Sequence, residues 1–180
     1  KSEFEIKRMR EAIQISAEAH ELVRESIKSK NNERQIQGIL EGFFLEKGAR
    51  GPAYNSIVAS GDNACILHYT SNNSPLNKGE LLLVDAGCSL TDYYNGDITR
   101  TIPIGGKFSD EQKVIYEIVL SAQKTAIQSA IIGSNSSTVH NVALTILVEG
   151  LKEIGLLSGS TEEIIENQSY KHLYMHRTGH

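Results

Sequence analysis

Two hydrophobic runs between residues 80 and 104 each carry an aspartate where a core strand would favour valine or isoleucine. Leu81 to Val84 runs into Asp85, and the run from Tyr93 to Ile104 holds Asp97. Ser89 to Asp92, between them, have turn chemistry. Folded as a hairpin about Thr91, the segment sets Asp85 opposite Asp97. Directly opposed like charges destabilise a strand pair. Two carboxylates a few ångströms apart do not both stay ionised without help. A shared proton or a bridging cation supplies that help, and a cation is the simpler answer if other ligands lie nearby. An isolated aspartate here would read as a turn residue; the pair shifts the balance towards a charge-binding site.

The flanking segments place this hairpin in an α+β domain. Ser2 with Glu5 forms a capping box ahead of Ile6, Met9, Ile13, Ala17 and Leu22, which predicts a helix over 3–29. Asn32 caps a second helix that ends near Gly48. Residues 56–60, 66–69, 80–88 and 93–104 read as strands separated by Gly, Asn and Pro. Ser109 with Gln112 opens a third helix through about Ile132, with Val114, Ile115, Ile118, Val119, Ala122 and Ala126 facing inward and Gly133 as its stop. A fourth helix is expected over 137–154, stopped by Gly155, and a short fifth over 160–166. Helices, then strands, then helices imply packing around a mostly antiparallel sheet.

The 180 residues suit a single domain, 1–180. Apolar residues make up 39% and charged residues 22%, a globular rather than disordered balance. A net charge of −4 offers no basic field to nucleic acid or an anionic membrane. No apolar run approaches the ~20 residues of a membrane span, and the charged start KSEFEIKRMRE reads as helix, not as a signal peptide. Cys65 and Cys88 are expected to be reduced, buried thiols of a cytoplasmic protein.

Six histidines remain. His20 and His140 sit on helical segments with no evident partner and read as structural. His172, His176 and His180 cluster in KHLYMHRTGH. Arg177 stands where an H-E-x-x-H zinc motif needs glutamate, so a zincin does not fit. His68, in CILHYT, is a weak candidate by itself. A site built from two carboxylates and one imidazole favours hard or borderline divalent metals such as Mn²⁺.

Four segments, YNSIVAS (54–60), GDNACILHYT (61–70), DAGCSLTDYYNGDITRT (85–101) and MHRTGH (175–180), follow the order and rough spacing of the aminopeptidase P and prolidase branch of the pita-bread metallopeptidases. The resemblance extends over nearly the whole chain, and GDNACILHYT and MHRTGH lean towards aminopeptidase P. It implies the first part of a pita-bread catalytic domain: helices on a curved, mostly antiparallel sheet, with the C-terminal half missing. It also implies hydrolysis, with two Mn²⁺, of the bond between an N-terminal residue and a following proline in a peptide substrate. By motif match, Asp85 ligates one metal, Asp97 bridges both and His180 binds the other. His68 and His176 match histidines that steady substrate and intermediate, and Tyr54 matches a hydrogen-bonding residue near the metals.

The chain departs from that pattern in two places. The stretch between the aspartates is about one residue longer, at SLTD. The two glutamate ligands that the resemblance implies fall after His180, and so does a further histidine. The chain lacks an initiator Met and stops directly after its histidine cluster, so it is expected to be a fragment that is inactive alone, while oligomerisation of the full-length protein stays open. A prolidase restricted to dipeptides is the near rival, a methionine aminopeptidase fits the HYTSNN context less well, and a non-catalytic protein-binding module would have lost these ligands.

Overall fold

The computed structural model describes residues 1–179, in two compact units, 1–108 and 109–180. In the first unit α1 (Glu3–Ser26) and α2 (Glu33–Glu46) precede five strands, β1 (Gly51–Pro52), β2 (Ile57–Ser60), β3 (Leu81–Ala86), β4 (Cys88–Ser89) and β5 (Ile98–Pro103). Both helices start where the sequence predicts. Ser2 and Glu5 close a reciprocal capping box, and the Asn32 side chain accepts from the Gln35 N–H. A 3-10 turn over Ile27–Ser29 completes the first predicted helix.

β2, β3 and β5 form an antiparallel sheet in that spatial order, and β1 pairs antiparallel with β4. β3 alternates strictly. Leu82, Val84 and Ala86 are buried, and Leu81, Leu83 and Asp85 share the other, half-buried face. The buried face meets Ala12, Ala19 and Val23 of α1 and Ile36, Leu40 and Phe44 of α2 in one core. Burying each large side chain of this kind contributes about 1.5–3 kcal/mol.

The hairpin differs from its predicted form. Asp85 faces Thr99, Ala86 faces Ile98 and Ser89 bridges Asn95, so the strands fold about Asp92 rather than Thr91. Moving the turn by one residue moves each pairing by two, and Asp97 becomes a diagonal neighbour of Asp85. Asp92 then sits at the tip, where Arg8 of α1 donates to its two oxygens at 2.6 and 3.0 Å. That pairing holds the Asp92 carboxyl below the ordinary carboxylate range. In the same register Gly87 lies across from Asp97. A Cβ at Gly87 would collide with the Gly96 carbonyl, so close backbone contact requires glycine here.

A second correction concerns residues 66–69, which form no strand. Gly61–Cys65 is a 3-10 turn, followed by an irregular loop with His68 and Asn72 in the left-handed region (φ 55° and 45°). What orders this stretch is a buried charge. The Glu33 carboxylate is fully buried at the first turn of α2. One oxygen accepts from the Ser60 N–H (2.7 Å), the Ser60 hydroxyl (2.8 Å) and the Asn63 amide (3.0 Å). The other accepts from the Tyr69 hydroxyl (2.7 Å) and the Ser74 N–H (2.9 Å). Nearby, the Asn72 side chain accepts from the Val58 N–H and donates to the Ser56 carbonyl and Gln37.

The second unit contains α3 (Asp110–Ser129), α4 (Ser136–Glu153) and α5 (Thr161–Glu166). The Ser109–Gln112 capping box forms as predicted, and Gly155 adopts φ 78° after α4. Ala122 and Ala126 of α3 pack with Ala143 and Leu147 of α4, with Ile118 beside them. Val114, Ile115 and Val119 are exposed instead of inward, because only the narrow small-residue stripe of α3 meets α4.

The buried Glu33 predicts an acid-sensitive fold. Burial pushes its carboxyl up, but the bonds from Asn63, Ser60, Ser74 and Tyr69 outweigh this and hold it below the ordinary 4.5. Its contribution to stability is therefore present above pH 4.5 and lost as pH falls through the lower folded value. Glu33→Gln places an amide donor among donors and should lower stability at pH 7 by about 2–3 kcal/mol. In urea titrations the gap to wild type should narrow below about pH 4.5; a constant gap would contradict this account.

Candidate functional site

Asp85 ends the half-buried face of β3, and Asp97 stands just before β5 on the returning strand. Tyr54, from the segment between β1 and β2, reaches both. Its hydroxyl lies 2.6 Å from Asp85 Oδ1 and 2.9 Å from Asp97 Oδ1. A hydroxyl carries one proton, so it donates to one carboxylate at a time. The other short oxygen–oxygen approach needs a further positive charge, either a shared proton or a cation. An oxygen-rich donor set with Asp97 open to solvent suits a hard or borderline divalent metal. Burial raises the Tyr54 hydroxyl above its ordinary 10, and the hydrogen bonds to Asp85 and Asp97 raise it further.

The backbone beneath the pair is held from α1. The buried His20 ring nitrogen Nε2 lies 3.0 Å from the Ala86 carbonyl, which makes it the donor and leaves Nδ1 unprotonated and without a partner. Burial keeps this imidazole below its ordinary value. The Ser16 hydroxyl accepts from the Cys88 N–H and donates to the Ala12 carbonyl. His20, which lacks an evident partner in the sequence, thus fixes the strand next to Asp85. The period of α1 places it on the core face, but only the fold supplies its acceptor.

The remaining candidates lie on other elements. His68 is exposed on the loop after the 3-10 turn. In the second unit His176 is exposed, packs edge-on to Tyr174 (5.3 Å between ring centres), and has Nδ1 2.9 Å from the Arg177 carbonyl. His140, read as structural, accepts there from the Thr178 N–H at 3.4 Å. His180 lies outside the described residues. Among the described residues no three His, Cys, Asp or Glu side chains gather as a metal cluster. The structure therefore brings together Asp85, Asp97 and Tyr54 within the first unit.

The profile of Metallopeptidase family M24 matches residues 7–180. A Xaa-Pro aminopeptidase of Haemophilus influenzae is 45% identical over 180 residues, which are 100% of this chain and 42% of that protein. The structure of Pseudomonas aeruginosa aminopeptidase PepP is similar with a TM-score of 0.93 at 44% identity, over 100% of this chain and 40% of that one. That of Escherichia coli aminopeptidase P with the inhibitor Pro-Leu gives 0.94 at 40% identity, over 98% and 40%. The chain thus spans about two-fifths of the length of these relatives and carries a partial pita-bread fold.

The pinned Tyr54 hydroxyl has a spectroscopic consequence. Tyr54→Phe should leave the alkaline absorbance step of tyrosine ionisation below pH 11 unchanged in size, because Tyr54 does not ionise there. A step smaller by about one in seven tyrosines would show Tyr54 to be an ordinary phenol.

Proposed function

Because the chain belongs to metallopeptidase family M24, we propose that its whole protein is a Xaa-Pro aminopeptidase, hydrolysing the bond between an N-terminal residue and a following proline. One observation carries the reading: a single tyrosine hydroxyl spans two aspartates in a chain 45% identical to an enzyme of that name. Residues 1–180 are proposed as one portion of the catalytic domain. Asp85, Asp97 and His180 are proposed as metal ligands, with Asp97 bridging two ions. Mn²⁺ suits the carboxylate-rich set best.

Divalent metal, when bound, supplies Lewis acidity and lowers the pKa of water at the site. The chain's own residues do the rest. Tyr54 holds the two carboxylates at a fixed spacing through its hydroxyl. His68 and His176, both exposed, are proposed to donate hydrogen bonds to the peptide backbone and to the oxyanion as it forms. The 180-residue chain alone, with three of its expected ligands, is proposed to bind metal weakly and to lack activity. A cytoplasmic setting accords with its two free cysteines, although only Cys88 is buried as expected and Cys65, on the 3-10 turn, is exposed, and no described helix is long and apolar enough to cross a membrane.

Metal analysis of the whole protein should find about two divalent ions per chain. Asp97→Asn should reduce metal content and lower hydrolysis of an Xaa-Pro tripeptide by at least about 1000-fold, with an unchanged circular dichroism spectrum. Full activity of Asp97→Asn would remove the bridging role. Cleavage of Xaa-Pro dipeptides but not tripeptides would make the protein a prolidase, and wild type without bound metal would make it a binding module.

A further inference from the structure

The Glu33 carboxylate is the one fully buried acidic group among the described residues, and nothing in the proposed chemistry uses it. Its four partners, Ser60, Asn63, Tyr69 and Ser74, span the loop that carries His68. Apolar packing does little for the tip of this loop, since Ile66 and Leu67 are more than half exposed, while Asn72 ties down its far end through Val58, Ser56 and Gln37. Tyr69, next to His68, is buried and ends on Glu33 Oε2 at 2.7 Å. His68 has φ 55°, a region that non-glycine residues avoid at a cost of about 1 kcal/mol or more. Such a conformation persists only where its surroundings fix it. Here the fixing contacts are Tyr69 on one side and the backbone turn from Asn63 to Ile66 on the other. The Asn63 amide also donates to Ser74 Oγ at 2.9 Å, which joins the two ends of the loop.

We propose that Glu33 is a positioning residue for His68: through Tyr69 and Asn63 it sets the backbone conformation that aims the exposed imidazole. The inference rests on the role given to His68 above. A carboxylate is suited to this task because five donors converge on two oxygens, so loop, β2 and α2 form one rigid joint. An apolar residue at position 33 would leave those donors unpaired and the loop free to relax at His68.

The test uses the whole protein and the mild variant Tyr69→Phe, which removes one hydroxyl and leaves four donors on Glu33. With an Xaa-Pro tripeptide, Y69F should lower kcat about 10-fold with KM changed less than about 2-fold. In a His68→Ala background, the same change should have no further effect. An equal loss in both backgrounds, or no loss in either, overturns the proposal. Should the whole protein not cleave Xaa-Pro peptides, the functional reading fails but the positioning remains measurable. Y69F should then shift the NMR resonances of the His68 ring and speed amide exchange over residues 61–74, and unchanged ring and exchange would overturn the proposal.

Discussion

A carboxylate taken out of water costs several kcal/mol unless hydrogen bonds replace its hydration, and Glu33 meets that condition with five donors. The consequence runs outward from one atom group. The donors come from the end of β2, from the 3-10 turn and from the far side of the loop, so satisfying the charge closes a chain segment whose tip, at Ile66 and Leu67, is exposed. Strand β2 is thereby tied to the first turn of α2, and β2 in turn pairs with β3, where Ile57 faces Asp85. The charged site and the buried charge are thus two ends of one antiparallel ladder.

The aspartate pair obeys a similar logic in the open. Its spacing is fixed by the hydrogen-bonded register of β3 and β5, by Gly87, small enough to let the hairpin backbones touch, and by Arg8 gripping Asp92 at the tip. Each device restrains the backbone and leaves the carboxylates exposed enough to exchange ligands. His20 and Ser16 add two further restraints from α1. Repulsion between Asp85 and Asp97 is therefore held in a frame built from backbone restraints, whether a shared proton or a cation relieves it.

How much of this was legible in the sequence follows from the range of each interaction. Capping boxes at Ser2 and Ser109 act over three residues and were readable, as was the stop at Gly155. The pairing of Asp85 with Asp97 was readable as a suspicion, but its register was not, because nothing local distinguishes a turn centred on Thr91 from one centred on Asp92. Arg8, 84 residues away, makes that choice. The strand expected over 66–69 failed for a like reason: Ile66 and Leu67 have strand propensity, but Tyr69 is pulled to Glu33, 36 residues earlier. Glu33 itself looks like an ordinary acidic residue in the first turn of a helix, and its partners lie 27 to 41 residues downstream. On α3 the apolar pattern was wider than the face that α4 covers, so Val114, Ile115 and Val119 were misplaced.

The side chain of Asn72 occupies the outer margin of the sheet. Its amide takes the Val58 N–H and supplies the Ser56 carbonyl with a donor, as a neighbouring strand would. An open margin of this kind is where extended chains ordinarily add themselves to a sheet. With these two backbone groups spoken for, an extended chain finds no free ladder to join at Ser56 and Val58. The margin of β2 is shielded there from self-templated aggregation.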